Sequence, residues 1–502
     1  MATADTGVET DDPYAALREH VERITHLRDA AGLLNWDQQV TMPEGGSPAR
    51  AKQLSTLSGR THDLLTEDRV ADLLDACEAA DLTDEQRAVC REIRREHERA
   101  TSVPSDLVSR HAEASSEAQQ VWQNAKADAD FESFAPTLDH LRELRVERAD
   151  HIDPEAPAYE TLYEDNMPTL PLETVERVFE TLREELPPLV AELRESGTEL
   201  ARPFEGQTFS EEEQAALNEA AAEFLGYDWD RGRLDASPHP FTSGTQFDAR
   251  ITTRYKPEDP LDALTATIHE YGHASYQLGL PQDEYGVPLG SARFEVHESQ
   301  SRFWENHVGR TRAFWEEFLP TFREHLSGVE DLTVDEAYEA ANRIYPENRI
   351  RVEADELTYH MHILLRHDVE REYLDGDLPV EAVPTRWNEL MDEYLGVTPE
   401  NDAEGCLQDI HWTTRFGGFP SYTVGSVLAA QLTAAMREDV DVEGCIRDRA
   451  FDRLREWMTE HVHSHGQRYE ADELIEVATG EPLTAEHFLE YAEEKFGELY
   501  GL

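Results

Sequence analysis

The stretch that most constrains this chain lies at residues 265–273, which read Thr-Ala-Thr-Ile-His-Glu-Tyr-Gly-His. On a helix, the imidazoles of His269 and His273 lie on one face, one turn apart, so both can bind one tetrahedral metal ion. Glu270 is rotated by about 100° from His269. Its carboxylate can therefore touch a metal-bound water without being a ligand. The alternative is a pair of surface histidines on an acid-rich helix.

The residues around this motif predict the helix that it requires. Asp259 followed by Pro260 is typical of a helix start, and Gly279 is a plausible stop. A buried stripe at three- and four-residue spacing comprises Leu261, Leu264, Ile268, Ser275 and Leu278.

The motif alone is not decisive, because composition gives an expectation of roughly 0.2 chance matches in a chain of this length. A hydrolytic metal site also needs a third protein ligand. Glu298 follows His273 by 25 residues, after a loop rich in glycine and proline. Residues 299–308 predict a second helix that packs antiparallel to the first and carries Glu298 near its start. Glu298 would complete a site of two histidines and one glutamate, with water in the fourth position. His297 is the alternative ligand, and capping or packing is its other possible role.

Charge is the strongest compositional feature of the chain, since 106 acidic residues against 45 Lys and Arg give a net charge of −61. Nucleic acids and anionic membranes are polyanions and are excluded as expected partners. The apolar fraction of 39% and the long periodic segments argue against disorder. We interpret the acidity as a halophilic surface, on which concentrated salt screens the repulsion.

The remaining composition indicates one large folded unit. We expect residues 1–12 to be disordered and residues 13–502 to form a single domain. No apolar run is long enough to span a membrane, and the N-terminus lacks a signal segment. Four scattered cysteines suit a reducing cytoplasm.

Local signals predict a mainly α fold. One helix is expected over residues 14–34, with a break at 35–37, and others begin at Thr83, Ser210 and Thr333. Strand-like alternation is scarce. The best candidate covers residues 246–255 and would act as an edge strand that pairs with an extended substrate.

Several further motifs combine polar and aromatic residues in one order along the chain. They are His239-Pro-Phe, Asp248-x-Arg250-x-Thr, Ile350-Arg351-x-x-Ala-Asp355 and Gly405-x-x-Gln-Asp-x-His411-Trp. Each has a structural alternative: a turn, a salt bridge between Asp248 and Arg250, or a helical pair of Arg351 with Asp355. Together with the metal motifs, this set resembles the carboxypeptidase Taq family over nearly the whole chain.

The resemblance implies a large helical, two-lobed, zincin-like metallopeptidase with a deep substrate groove and a very small β-sheet. It implies a homodimer with one Zn²⁺, or possibly Co²⁺, per subunit. It also implies stepwise removal of C-terminal residues from peptides, with broad specificity that is poor towards proline.

The chemistry assigns roles to individual residues. Zinc held by the three ligands would lower the pKa of its water to about 7, and Glu270 would accept the water proton as general base. His411 and Tyr422 are candidate oxyanion donors, with core packing as their alternative. A cation must also bind the terminal carboxylate, and the planar fork of arginine suits this better than lysine. The resemblance favours Arg351, then Arg250.

Two other functions remain open at this stage. The same site can belong to an oligopeptidase or a dipeptidyl carboxypeptidase, which would release products of two or more residues. A zinc-stabilised scaffold without turnover is the other alternative. A scaffold has no need of Glu270, and a structural zinc site would have a fourth protein ligand, which is not apparent.

The acidic composition generates a prediction about stability. We expect the melting temperature to fall when the protein is moved from molar salt to dilute buffer, because fewer ions then screen the repulsion between carboxylates. Calorimetry across a salt series measures this dependence. A melting temperature that does not change across the series would contradict the halophilic interpretation.

Overall fold

The computed structural model describes residues 12–345 and 347–502 of the chain. The N-terminal segment expected to be disordered lies outside these residues, apart from Asp12, whose side chain caps the first helix. Within the described ranges, none of the helices combines the length and the apolar content that spanning a lipid bilayer requires.

Helices dominate the described part of the chain, as predicted. The first nine are α1 (Pro13–Val40), α2 (Ser47–Leu65), α3 (Asp68–Glu78), α4 (Asp84–Ser102), α5 (Ser105–Asp128), α6 (Phe131–Ile152), α7 (Ala158–Tyr163), α8 (Leu172–Glu195) and α9 (Glu211–Leu225). The strands are β1 (Leu234–Ala236), β2 (Thr242–Gly244) and β3 (Ala249–Thr253).

The second half of the chain is helical after the sheet. Its helices are α10 (Pro260–Gly279), α11 (Phe294–Arg302), a π-helix (Phe303–Gly309), α12 (Arg312–His325), α13 (Val334–Ala341), α14 (Thr358–Leu374), α15 (Val383–Leu395), α16 (His411–Thr414), α17 (Pro420–Asp439), α18 (Val442–Arg447), α19 (Phe451–His461), α20 (Ala471–Thr479) and α21 (Glu486–Tyr500). Short 3₁₀ turns lie at Glu44–Gly46, Gln282–Glu284, Pro288–Gly290, Arg351–Glu353, Val380–Ala382 and His463–His465.

The apolar core comprises one large cluster and a smaller cluster among the N-terminal helices. The largest cluster of buried side chains runs from α5 to α21. A separate cluster joins α1, α3 and α4 and reaches only Val287 and Leu289 of the later chain. The loop between α10 and α11 therefore links the N-terminal helices to the helices that carry the metal motifs.

The predicted helix starts are confirmed where a local cap defines them. Thr83, Ser210 and Thr333 each form a capping box with the residue three positions later. Asp259 caps α10 through the backbone N–H groups of Leu261 and Asp262. Each of these caps satisfies backbone donors that would otherwise lack a partner.

The predicted break at residues 35–37 is wrong, because α1 continues to Val40. Arg50 of α2 donates hydrogen bonds to the Leu34 carbonyl and to Asp37, and Trp36 is buried. Contacts from the neighbouring helix thus override the weak helix propensity of Asn35 and Asp37.

The small sheet also differs from its prediction in one respect. The strand predicted over residues 246–255 is β3, but it lies in the middle of the order β1-β3-β2 and is not an edge strand. It pairs in parallel with β1 and antiparallel with β2. The edge strand that contacts α10 is β2, through Thr242.

Candidate metal centre

Three predicted ligands come together between α10 and α11. One side-chain donor atom from each of His269, His273 and Glu298 lies within 4.8 Å of the others. Oε2 of Glu298 is 3.9 Å from Nε2 of His269 and 3.6 Å from Nε2 of His273. Ligands at zinc bond lengths in a tetrahedron are separated by about 3.4 Å, so the trio is close to the spacing that one ion requires.

Two glycines allow the helices that carry the candidate ligands to approach closely. A Cβ atom at Gly272 would lie 2.6 Å from the Gln300 carbonyl oxygen and from the Ser301 Cα of α11. A Cβ at Gly425 of α17 would lie 2.4 Å from Cγ of Glu298. Because backbone and ligand occupy these positions, glycine holds Glu298 against α10 from one side and against α17 from the other.

The sequence predicted Glu298 near the start of its helix, but Glu298 lies in the middle. The helix begins at Phe294, and Arg293 precedes it without a side-chain cap. Arg293 is instead buried and bonded to Thr169 and Glu92. The predicted second helix over residues 299–308 is the end of α11 followed by the π-helix.

A second carboxylate fixes the orientation of His269. Oε2 of Glu305, on the π-helix, lies 2.9 Å from Nδ1 of His269. This contact leaves Nε2 of His269 on the side of the other two candidate ligands, His273 and Glu298. Arg302 and Arg310 donate to Glu305 at 3.0 and 2.9 Å. Such a partner sets the tautomer of a metal-binding histidine.

The pKa values of the two histidines are shifted in opposite directions: that of His273 is lowered and that of His269 is raised. Burial lowers the pKa of His273 well below its usual value, which favours the neutral imidazole that a metal requires. Burial also lowers the pKa of His269, but the negative charge of Glu298 and the hydrogen bond to Glu305 outweigh it and give a net rise. Burial raises the pKa of Glu305, yet the charge of Arg302 reverses this and keeps the carboxylate ionised.

Glu270 is buried beside the trio and held by the edge strand. The hydroxyl of Thr242 donates to Oε2 of Glu270 at 2.7 Å and lies 3.0 Å from its carbonyl oxygen. Burial raises the pKa of Glu270, while His269 and the bond from Thr242 oppose the rise. A carboxylate with a raised pKa is suited to accept a proton near neutral pH.

Arg351 belongs to a buried charge network and does not form the pair with Asp355 that was the structural alternative to its functional role. Its Nε and Nη2 donate to Asp409 at 3.1 and 2.8 Å, and its Nη1 donates to the Tyr359 hydroxyl. Arg366 binds the other oxygen of Asp409 at 2.6 Å. Residues 351–353 form a 3₁₀ turn and not the α-helix that this alternative requires, and Asp355 accepts from the backbone N–H groups of Leu357 and Thr358 at the start of α14.

The two predicted oxyanion donors lie around Arg351. The ring of Tyr422 is 5.9 Å from the Arg351 guanidinium. The ring of His411 lies against the ring of Phe419, with centroids 4.2 Å apart, and its Nδ1 is buried with no hydrogen-bond partner among the described residues. Burial lowers the pKa of His411 to about 4, so its imidazole is neutral at pH 7.

Two further candidates occupy different positions. Arg250 forms a salt bridge with Asp248 at 2.7 Å and lies over the ring of Trp36, which places it at the contact between α1 and the sheet. The ring of His297 stacks on His273 at 4.3 Å. Burial lowers the pKa of His297 to about 4.

Sequence reasoning missed three groups that shape the centre: Thr242, Glu305 and Gly425. Glu305 follows the ligand Glu298 by seven residues, the spacing of two α-helical turns. That spacing was the one available signal, but one acid among 106 is not distinctive. Thr242 and Gly425 reach the site from distant segments, so no local pattern reveals them.

The contact of Glu305 with His269 generates a prediction. We expect Glu305→Gln to weaken metal binding about 10- to 100-fold, because a neutral amide orients and polarises the imidazole less effectively. Competition with a chromophoric chelator measures the affinity. The matched control is Glu295→Gln, which alters a buried carboxylate of α11 that binds Thr169. Equal affinities for the two variants would contradict this role of Glu305.

Comparisons with known proteins agree with this geometry. The family model described as Carboxypeptidase Taq (M32) metallopeptidase matches residues 16–496. Carboxypeptidase 1 of Bacillus subtilis (strain 168) is 35% identical over 488 residues, which cover 96% of this chain and 97% of that protein. Thermostable carboxypeptidase 1 of Pyrococcus furiosus is 35% identical over 486 residues, covering 94% of this chain and 96% of its own.

Solved structures give the same result for the fold. The crystal structure of an M32 carboxypeptidase from Deinococcus radiodurans R1 superposes with a TM-score of 0.93 at 36% identity, covering 98% of this chain and all of that one. A structure of the Pyrococcus furiosus carboxypeptidase, described as Apo-Mg, superposes with a TM-score of 0.94 at 33% identity, covering 97% of this chain and 99% of that one. With its full-length matches and its two-histidine, one-glutamate site, this chain belongs to the carboxypeptidase Taq family of metallopeptidases.

Proposed function

We propose that this metallocarboxypeptidase removes C-terminal residues from peptides one at a time, with Glu270 as general base and Arg351 as the group that binds the terminal carboxylate. One observation carries the proposal: a chain of contacts joins the ligand trio to Arg351. Arg302 donates to Glu298 at 2.9 Å and lies over the ring of Tyr359. The Tyr359 hydroxyl in turn accepts a hydrogen bond from Arg351.

The donor set suits one divalent ion per subunit. Two imidazole nitrogens and one carboxylate oxygen are the ligands of many hydrolytic zinc sites, and Co²⁺ accepts the same donors. Binding of such an ion by His269, His273 and Glu298 would supply a Lewis acid for the scissile carbonyl and acidify a coordinated water.

The protein groups divide the remaining work. Glu270 accepts the proton of the attacking water and passes it to the leaving amine. Thr242 holds the Glu270 carboxylate in place through one of its oxygens. The neutral His411 and Tyr422 donate hydrogen bonds to the oxygen of the scissile carbonyl, which gains negative charge during the attack. Their position around Arg351 supports this role.

Arg351 retains donors for the substrate. A guanidinium carries five N–H groups, and the contacts with Asp409 and Tyr359 occupy three of them. Asp409 holds the fork in a fixed orientation, which lowers the entropy lost when a carboxylate binds. Arg250 is the second candidate, although its pair with Asp248 engages its Nε and Nη2.

The remaining features stay proposals that rest on the family resemblance or on composition. They are the homodimer, the broad specificity that is poor towards proline, and the single two-lobed domain over residues 13–502. The cytoplasmic location rests on the four cysteines, all of which are buried and unpaired.

The role of Glu270 can be tested by Glu270→Gln. We expect turnover to fall by about 10²- to 10⁴-fold with the metal retained, because the amide cannot accept the water proton. Mass spectrometry of an unblocked peptide, with and without chelator, should show a ladder of single-residue losses only for the wild type without chelator. Internal cuts or losses of two residues would instead indicate an oligopeptidase or a dipeptidyl carboxypeptidase.

The carboxylate of Glu270 also generates a prediction for the metal-free protein. Because burial raises the pKa of Glu270, its carboxylate should become protonated, as pH falls, at a higher pH than an exposed glutamate, for which the pKa is about 4.3. Carbon NMR of the labelled side chain across a pH series measures this pKa, and a value at or below about 4.3 would contradict the prediction.

The role of Arg351 can be tested with paired substrates. We expect Arg351→Ala to reduce kcat/KM for free-acid peptides by 100-fold or more (about 3 kcal/mol), while metal content is unchanged. The wild type should discriminate against the amidated peptides, and the variant should not. Arg351→Lys keeps a charge beside the buried Asp409 and controls for instability. Equal wild-type activity on free-acid and amidated peptides would refute carboxylate capture.

A further inference from the structure

Helix α11 indicates the direction in which a bound peptide would run. Phe294, Glu298 and Arg302 are spaced by four residues, so they follow one another along nearly the same face at about 6 Å per step. Arg302 lies over the ring of Tyr359, and Arg351 lies over the same ring. If the terminal carboxylate binds at Arg351, the upstream part of the peptide passes the metal ligand Glu298 and reaches Phe294. This orientation rests on the proposed function.

A large open cavity lies at the Phe294 end of the helix. Its volume is about 680 Å³, and Phe294, Asn166 and Arg415 contribute to its wall. Phe294 is 47% exposed, so its ring is accessible from the cavity. The cavity is therefore wide enough for peptide side chains and offers them an accessible apolar surface.

Arg415 differs from the other arginines of this cavity. Arg28, Arg95, Arg99 and Arg293 each form a salt bridge with a glutamate or an aspartate. Among the described residues, Arg415 has no carboxylate partner. Its Nε donates to Oδ1 of Asn166, and its guanidinium lies 5.4 Å from the centre of the Phe294 ring. The two terminal nitrogens of the fork therefore remain available for a bidentate contact.

Gly418 gives Arg415 the space for this position. A Cβ atom at Gly418 would lie 2.4 Å from Nε and 3.0 Å from Cζ of Arg415. Arg415 directly follows α16, which begins at His411, and its backbone N–H donates to the His411 carbonyl at 2.9 Å. The glycine thus keeps a positive charge between the cavity and the candidate catalytic groups.

The charge of Arg415 indicates which ligand it suits. Concentrated salt screens the long-range repulsion between a chain of net charge −61 and an acidic peptide, so recognition of such a peptide depends on close contacts. A guanidinium without a carboxylate partner supplies one such contact, because its fork matches a carboxylate.

We propose that Arg415 and Phe294 form an upstream subsite that favours a glutamate or aspartate side chain one or two residues before the scissile bond. Phe294 contacts the aliphatic part of that side chain, and Arg415 binds its carboxylate. This position follows from the spacing of about 6 Å between Phe294 and Glu298, since an extended peptide advances about 3.3 Å per residue.

The test compares N-acetylated tetrapeptides that differ only by Glu or Gln at one upstream position. The initial rate of release of the terminal residue gives kcat/KM for each peptide. We expect the wild type to favour Glu about tenfold at one of the two positions, as one charge-assisted contact provides. In Arg415→Gln this ratio should fall to about one. Arg415→Glu should reverse the preference, so that a peptide with Lys is cleaved faster than the peptide with Gln.

Two further variants separate the subsite from general charge effects. Arg177→Gln changes the net charge by the same amount at an exposed position of α8, and the Glu/Gln ratio should stay at the wild-type value. Gly418→Ala keeps the charge of Arg415 but displaces its guanidinium, so the ratio should fall. Loss of the ratio in Arg177→Gln, or its retention in Arg415→Glu, would overturn the proposal.

The proposal and the function on which it rests can fail separately. A wild-type ratio near one at both positions, with free-acid peptides still preferred over amidated ones, would overturn the subsite alone. Equal cleavage of free-acid and amidated peptides would overturn the orientation of the peptide, and the subsite with it.

Discussion

The close approach of α10 and α11 at Gly272 is the constraint on which the rest of the site depends. Carbonyl and Cα atoms of α11 occupy the space that any side chain at this position would need. This spacing brings Glu298 within 4 Å of the Nε2 atoms of His269 and His273. Gly425 of α17 confines Glu298 from the opposite side. The ligand trio is therefore a product of backbone contact between helices.

Buried charges surround this contact, and each is compensated in a different way. Glu305 has two arginines and His269 as partners, so it remains ionised without a metal. Asp409 binds both Arg351 and Arg366, which leaves one positive charge in excess in that network. Removing one partner from such a network exposes the full desolvation penalty of the others. The excess positive charge at Arg351 suits a site that receives a carboxylate.

The parts of the site that sequence predicted correctly are those defined by local signals. The bounds of α10 follow from Asp259, Pro260 and Gly279, and the spacing of His269 and His273 follows from the helix itself. The predictions that failed depended on distant residues. Arg50 keeps α1 helical beyond Leu34. Asp409 engages Arg351, so the pair of Arg351 with Asp355, which the sequence offered as an alternative, does not form. Such contacts leave no periodic trace in the sequence.

The helical segment from Glu298 to Glu305 makes the candidate metal centre depend on the number of residues between these two groups. Seven positions separate Glu298 from Glu305, so the two carboxylates lie on nearly the same face of the segment. Removing a single residue between Glu298 and Glu305 would rotate Glu305 by about 100° relative to its ligand neighbour. The centre can therefore accept changes of side chain in this segment more readily than a change in the number of residues.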